Sequence, residues 1–489
     1  MLAQRRVKVV ATIGPASNSK EKLKSLIEAG MNVARLNFSH GSHEDHIQVI
    51  KNLRELSKEL RAPVSILQDL QGPKIRVGKF ENGFISLEVG QKVRISPSFE
   101  LGKGSDISTD FPTLHKDVSQ GERILLDDGL IELAVDSVEG DIVNATVIYG
   151  GKLKDRKGMN VPGANLSVDC LTEKDLKDLA FGLEQQVDYV ALSFVRSSED
   201  MLRLRKLVDE KSPKTKTVAK IEMLEALDDL QRIVKKSDAI MVARGDLAIE
   251  IGQTRLASVQ KKIIKECNRQ MKPVITATQM LDSMVNNPRP TRAEITDVAN
   301  AILDGTDALM LSAESAAGNF PAECVSTMHE ISMEVEKESA SYYIRKKKSN
   351  FETVPESIAA SASLTAEVLD AKVILCLTTS GKTATFISGF RPKAQIIAAT
   401  HITDTLNRLE LVWGIQTIKI EPYDDVESLI ARLQSKIHAL GLADFGEKVV
   451  LTMGQPIRSG AKTNTVRVFT IDKEVVESVD MPMPLRFLD

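Results

Sequence analysis

Short runs of β-branched and small apolar residues alternate with longer segments whose apolar positions recur every three to four residues. The runs predict strands over residues 7–13, 33–38, 64–69, 189–194, 218–221, 239–243, 274–277 and 308–311. Each is followed by a helical pattern, and the third reaches its helix (173–184) only after a long insert. Between the fifth and sixth runs, Leu224, Leu227, Leu230, Ile233 and Val234 keep helical spacing, which predicts one amphipathic helix. Eight such β-α repeats predict a closed (β/α)8 TIM barrel. An open doubly wound sheet is the alternative that the same alternation allows.

The insert, residues 73–168, has a different texture. Short alternating segments (84–89, 92–95, 131–135, 142–148) are separated by Gly and Asp turns, with almost no helical period. That predicts a small all-β, barrel-like lid domain entering at the C-terminal end of the third strand, above the rim where barrel enzymes carry their chemistry. A polar stretch around 345–350 predicts a linker. Beyond it, a helix (356–369), a strand (373–377) and further alternation predict an open-sheet α/β domain. The resulting division is a barrel of residues 1–72 and 169–340, a lid of 73–168 and a C-terminal domain of 341–489.

Several predicted strands end abruptly in polar residues at the same end. Val218-Ala219-Lys220-Ile221-Glu222 and Met241-Val242-Ala243-Arg244-Gly245-Asp246 are the sharpest. A right-handed β-α-β unit makes these strands parallel, so Lys220, Glu222 and Asp246 emerge together. Two carboxylates and an ammonium at one rim suit a divalent metal and a phosphoryl group. The turn through Gly245 opens a short helix whose N–H groups can receive an anion. Further polar ends are Arg35-Leu36-Asn37-Phe38-Ser39-His40-Gly41, Gln68-Asp69-Leu70-Gln71-Gly72-Pro73-Lys74-Ile75-Arg76, Ser193-Phe194-Val195-Arg196 and Thr276-Ala277-Thr278-Gln279. Ser380-Gly381-Lys382-Thr383 resembles the end of a P-loop, but Cys376 stands where the upstream glycine is required, which excludes a Walker NTPase and leaves a smaller phosphate as ligand. His43 and His46 are expected to face solvent.

Composition narrows the setting. A length of 489 residues allows roughly two to four domains of about 150 residues. A net charge of −3 gives no bulk reason to bind nucleic acid or an anionic membrane. No apolar stretch is long enough to span a bilayer, and residues 1–6 hold no signal-peptide core. Four scattered cysteines without a C-x-x-C pair argue against zinc or disulfides, so the expected home is the cytoplasm.

Taken in order, Ala11-Thr12-Ile13-Gly14-Pro15, Asn37-Phe38-Ser39-His40-Gly41, Ala219-Lys220-Ile221-Glu222, Met241 to Leu247, and the run from Ile275-Thr276-Ala277-Thr278-Gln279 through Asn287-Pro288-Arg289-Pro290-Thr291-Arg292-Ala293-Glu294 resemble the pyruvate kinases. The resemblance covers nearly the whole chain. It implies magnesium-dependent transfer of a phosphoryl group from phosphoenolpyruvate to ADP, giving pyruvate and ATP in glycolysis, and a homotetramer with a regulatory C-terminal domain. Manganese is an alternative metal. By the same resemblance, Glu222 and Asp246 hold the metal, and the N–H groups of Gly245 and Asp246 take the substrate carboxylate. Lys220 steadies the phosphoryl group in flight and the enolate, Arg35 contacts the transferring phosphate, and Thr278 organises protonation. Asn37, His40, Arg76 and Lys157 hold ADP, the last from the lid.

Potassium-dependent members carry Glu where this chain has Lys74, and Thr where it has Leu70. The potassium-independent branch shares this chain's residues. The expectation is therefore that the Lys74 ammonium replaces potassium in the region of Asn37, Ser39, Asp69 and Leu70, so that potassium is not required. Thr378, Ser380, Lys382 and Thr383 resemble the family's effector phosphate site, for a sugar phosphate or AMP. The partner segment Gly460-Ala461-Lys462-Thr463-Asn464 departs from the usual pattern and leaves the effector open. Two rivals remain: another phosphoenolpyruvate-using barrel, which would lack the insert, and a non-catalytic sensor, which would lack Lys220, Glu222 or Asp246.

Overall fold

In a computed structural model, which describes residues 5–164, 169–338, 353–423, 425–456 and 462–478, eight parallel strands close into a barrel. They are Lys8–Ile13, Val33–Asn37, Ser65–Asp69, Tyr189–Leu192, Lys216–Ile221, Ala239–Ala243, Val274–Ala277 and Ala308–Leu311. The first strand pairs with both the second and the eighth, Lys8 opposite Ala308 and Val10 opposite Val33, and this settles the choice against an open sheet. Most of these strands are buried along their whole length, as expected of a parallel sheet covered on both faces. Val10, Val33, Leu67, Val218, Met241, Ile275 and Met310 fill the interior.

Two predicted strands run past their true ends. The second stops at Asn37, and the fourth stops at Leu192, two residues before Phe194, whose φ of 56° breaks the extended geometry. The single helix expected after the fifth strand is two, Glu225–Asp228 and Leu230–Lys236. Asp229 interrupts it, because its carboxylate accepts the Ser198 N–H at 2.7 Å instead of following the helix.

Among its described residues the insert is all-β apart from a short helix at Leu114–Asp117. Its strands form a six-stranded sheet and a separate two-stranded ribbon, Phe84–Leu87 with Gly151–Lys154, rather than a closed ring. The insert has its own core, including Ile95, Ile107, Ile124, Leu133 and Val143. The C-terminal sheet has five strands in the order Ile415–Lys419, Gln395–Thr400, Val373–Leu377, Lys448–Met453 and Thr465–Thr470, the last antiparallel. The expected linker at 345–350 and the boundaries at 168 and 340 lie outside the described residues.

The C-terminal domain docks on the end of the barrel away from the polar rim. Leu411 joins the interior cluster of the barrel, and Tyr189 Oη donates to Arg408 O at 2.8 Å. Arg391, 2% exposed, donates to Gly305 O at 2.9 Å, pairs with Asp307 at 3.1 Å and lies over the Trp413 ring. Among the described residues no helix is long and apolar enough to cross a membrane.

Candidate active site

The C-terminal ends of the second to seventh barrel strands carry an alternating set of charges. Arg35 Nε donates to Asp69 Oδ2 at 2.7 Å, and its Nη1 donates to Thr12 Oγ1 at 2.8 Å. Lys220 Nζ lies 3.3 Å from Asp69 Oδ1, 3.0 Å from Glu222 Oε1 and 2.7 Å from Ser193 Oγ. Glu222 Oε2 accepts the Phe194 N–H at 2.7 Å. Asp246 is the third residue of the helix Arg244–Ile251, which has no side-chain cap, and its Oδ1 lies 3.8 Å from Lys74 Nζ.

Burial and neighbouring charge compete at each of these groups. Burial works against ionisation of Asp69, but Lys220 and Arg35 outweigh it and hold the carboxyl below its usual range. Burial likewise works against the Lys220 charge, yet Asp69 and Glu222 prevail and raise its pKa. For Glu222 burial dominates. The Lys220 ammonium opposes it, the Asp246 charge adds to it, and the carboxyl is raised. A buried carboxylate raised partly by a second carboxylate is an environment that a divalent cation would relieve. Among the described residues no group of three or more His, Cys, Asp or Glu could hold a metal. Glu222 and Asp246 as a pair nevertheless fit magnesium, which keeps waters and substrate oxygens as its other ligands.

Thr278 and Gln279 follow the seventh strand with φ of 71° and 51°, two consecutive non-glycine residues in the left-handed region. Buried Arg244 sustains that turn. It donates to Thr278 O at 2.7 Å and Gln279 O at 3.1 Å, and is itself paired with Asp297 at 2.7 Å. Thr278 Oγ1 accepts the Gly245 N–H at 2.9 Å, so one of the two N–H groups expected to hold a carboxylate is engaged within the protein.

The residues expected to bind nucleotide fall into two groups. On the barrel, Asn37 Oδ1 accepts the Ser39 N–H at 3.1 Å and His40 is exposed. On the insert, Arg76 and Gly158 form a bridge, Arg76 Nη1 donates to Arg156 O at 3.0 Å, and Lys157 pairs with Asp127 at 2.7 Å. Leu70 is buried, with its carbonyl accepting from Ser193. Lys74 is set against Asp246. The expectation that His43 and His46 face solvent is corrected. His46 is buried and stacks on Phe38 at 4.1 Å, while His43 is half-buried and binds Asp178 at 2.7 Å, because this helix packs against the strand-two loop.

In the C-terminal domain Gly381, φ 81°, turns the chain into the helix Lys382–Gly389. Thr378 Oγ1 accepts the Gly381 N–H at 2.9 Å and Ser380 Oγ accepts the Lys382 N–H at 3.4 Å. Thr383 meets Thr463. Gly460 and Ala461 of the partner segment lie outside the described residues.

Residues 4–325 match the family model described as pyruvate kinase, barrel domain, and residues 356–469 match that described as pyruvate kinase, alpha/beta domain. The chain belongs to the pyruvate kinase family. A pyruvate kinase of Geobacillus stearothermophilus is 46% identical over 474 residues, 96% of this chain and 81% of that protein. Pyruvate kinase 2 of Synechocystis is 44% identical over 97% of this chain and 80% of its own length. A crystal structure of a pyruvate kinase from Cryptosporidium parvum superposes with a TM-score of 0.90 at 36% identity, covering 96% of each chain. Membership makes this chain an enzyme of the phosphotransferase class.

Family motifs had pointed to the ionised residues, but not to Ser193, Thr12, Arg244 or Asp297 as their supports. The signal for Ser193 was its position at a strand end. For Asp297, on the helix Arg292–Asp304, there was none.

Glu250, on the helix that carries Asp246, is also part of this rim. Burial and the Glu225 carboxylate push its carboxyl from the usual 4.5 up to about 7, against hydrogen bonding by Asn160 and Gly163 of the insert. The folded protein thus retains a proton that the unfolded chain releases. This group's contribution to stability is full below about pH 4.5, declines as pH rises, and is gone above about pH 7. In metal-free protein, Glu250→Gln is expected to lose less melting temperature than wild type between about pH 5 and 7.5. Parallel melting profiles would refute this.

Proposed function

We propose that this chain catalyses magnesium-dependent phosphoryl transfer from phosphoenolpyruvate to ADP, giving pyruvate and ATP in glycolysis, without a potassium requirement. The observation that carries the reading is the buried Arg35–Asp69–Lys220–Glu222 set at the barrel rim, with Asp246 beside it. Phosphoryl transfer asks the protein mainly for positioning and for charge where charge develops.

In this reading Glu222 and Asp246 hold the divalent metal, magnesium or manganese, which when bound neutralises charge on the substrate oxygens. Lys220 stays ionised, since its pKa is raised, and stabilises negative charge on the phosphoryl group and then on the enolate oxygen. Arg35, fixed by Asp69 and Thr12, orients the transferring phosphate. The N–H groups of Gly245 and Asp246 bind the substrate carboxylate at a helix start, the Asp246 N–H directly and the Gly245 N–H once the carboxylate displaces Thr278 Oγ1 from it. Thr278, hydrogen-bonded to Gly245, organises proton delivery to the enolate. Asn37 and His40 from the barrel, with Arg76 and Lys157 from the lid, hold ADP, so lid closure completes the nucleotide site.

Potassium independence rests on Lys74. Its ammonium stands 3.8 Å from Asp246 Oδ1, and in this reading it supplies the charge that potassium would otherwise bring to the region of Asn37, Ser39, Asp69 and Leu70. The domain division that goes with this reading is a barrel of residues 1–72 and 169–340, a lid of 73–168 and a regulatory domain of 341–489. In the last, Thr378, Ser380, Lys382 and Thr383 take the phosphate of a sugar phosphate or AMP. The protein works as a cytoplasmic homotetramer.

Purified protein given phosphoenolpyruvate, ADP and magnesium is expected to form pyruvate, and omission of magnesium is expected to stop it. Turnover in tetramethylammonium buffer free of potassium is expected to be near full. A many-fold rise on adding potassium would sink the role of Lys74. The same assay across sugar phosphates and AMP tests the effector.

A further inference from the structure

The corner after the fourth barrel strand does more than end a strand. Ser193 is 1% exposed, and its hydroxyl makes two hydrogen bonds of 2.7 Å, accepting from Lys220 Nζ and donating to Leu70 O. An ammonium can only donate and a carbonyl can only accept, so the single hydroxyl proton must point at Leu70 and a lone pair at Lys220. The next residue, Phe194, donates its N–H to Glu222 Oε2 from a left-handed backbone, φ 56°. This corner also packs against the start of the lid. Gly72, φ 69°, lies so close that a Cβ there would stand 2.8 Å from Phe194 Cδ2 and 2.9 Å from Ser193 Cβ.

We infer that Ser193 is a positioning residue: its hydroxyl, oriented by Leu70 at the base of the lid, fixes the direction of the Lys220 ammonium. Of the three groups around the Lys220 ammonium, Ser193 accepts a well-formed hydrogen bond, while Asp69 and Glu222 are ion-pair contacts at 3.3 and 3.0 Å. The two carboxylates also draw on its charge and weaken its field at the substrate. The hydroxyl is the neutral anchor of the three, so it aims the ammonium without that loss. It also joins the lysine to strand three, which leads into the lid, so that the base of the lid and the ammonium keep one register. A fixed donor needs no reorganisation as charge develops on the transferring group.

This inference rests on the role proposed for Lys220, and the experiment separates the two. Steady-state kinetics are measured for wild type, Lys220→Met, Ser193→Ala, Ser193→Cys and Ser193→Thr. Loss of one hydrogen bond to a charged group predicts a fall of about ten- to a hundredfold in kcat for the Ala and Cys variants. Their KM for phosphoenolpyruvate should stay within about threefold, because the hydroxyl holds the lysine and not the substrate. Thr, which keeps the hydroxyl, should retain most of the turnover. Wild-type kcat in the Ala or Cys variant would overturn the inference. So would an equal loss in Thr and Ala, which would mean packing, or a KM rise as large as the kcat loss, which would mean collapse of the site. If wild type is active and Lys220→Met is not, any of these failures belongs to Ser193 alone. If Lys220→Met keeps full turnover, the reading of Lys220 itself has failed.

Discussion

Lys220→Met is expected to leave a folded protein whose turnover has fallen by at least about 10²- to 10³-fold, since one preorganised electrostatic group is commonly worth about 3–4 kcal/mol at a transition state. Here the group is a full charge whose pKa is raised and whose exposure is small. Methionine keeps most of the unbranched side chain and removes the ammonium, with its charge and its hydrogen bond to Ser193. The loss has a second consequence within the protein. Asp69 keeps Arg35 at 2.6 Å, but Glu222 loses the ammonium at 3.0 Å and retains only the Phe194 N–H. Breaking a buried pair costs about 3–5 kcal/mol when the remaining charge has no outlet. Glu222 has one, because its carboxyl is already raised and can take up a proton. The variant should therefore melt only a few degrees lower, with its activity lost. A coupled assay and a melting curve on the same preparations check both parts, and equal turnover of variant and wild type would remove the mechanism proposed for this site.

The second large effect is on stability, at the opposite end of the barrel. Arg391→Met removes the cation that faces Asp307 at 3.1 Å, the hydrogen bond to Gly305 O and the stacking on Trp413, all of them buried. A cost of about 3–5 kcal/mol is expected, because Asp307 is left charged and buried. Asp307→Asn should cost less, since an amide oxygen can still accept the Val274 N–H that Asp307 binds at 3.0 Å. The double variant should be less damaging than the sum of the two, which is the signature of a direct pair. Urea unfolding followed by fluorescence of Trp413, the chain's one tryptophan, reads this junction directly. An unchanged midpoint in Arg391→Met would show that the junction contributes little.

Much of the site was legible because its residues are confined by local pattern. An apolar run that stops at Glu222 or Asp246 marks where a barrel strand ends, and parallel strands bring such ends together. The strands Ala239–Ala243, Val274–Ala277 and Ala308–Leu311 have the bounds that their apolar runs imply. Elsewhere the pattern misled. His46 looked like one polar residue on a helix, but its ring stacks on Phe38. Asp229 looked like a helical position, but its carboxylate is claimed by the start of another helix.

The sequence by itself determined the eightfold β-α beat, the all-β insert and the family, because periodicity and motif order are properties of neighbouring positions along the chain. Tertiary structure decided which charges meet. Ser193 reaches Lys220 across 27 positions, Arg244 reaches Thr278 across 34, and Arg391 reaches Gly305 across 86. Those meetings depend on the register in which the barrel closes and on how the C-terminal domain packs against it. Burial then raises the Glu222 carboxyl, while the charges gathered around Asp69 and Lys220 outweigh burial and keep both ionised. A side chain's type fixes what it can donate or accept, and the closed barrel fixes to whom.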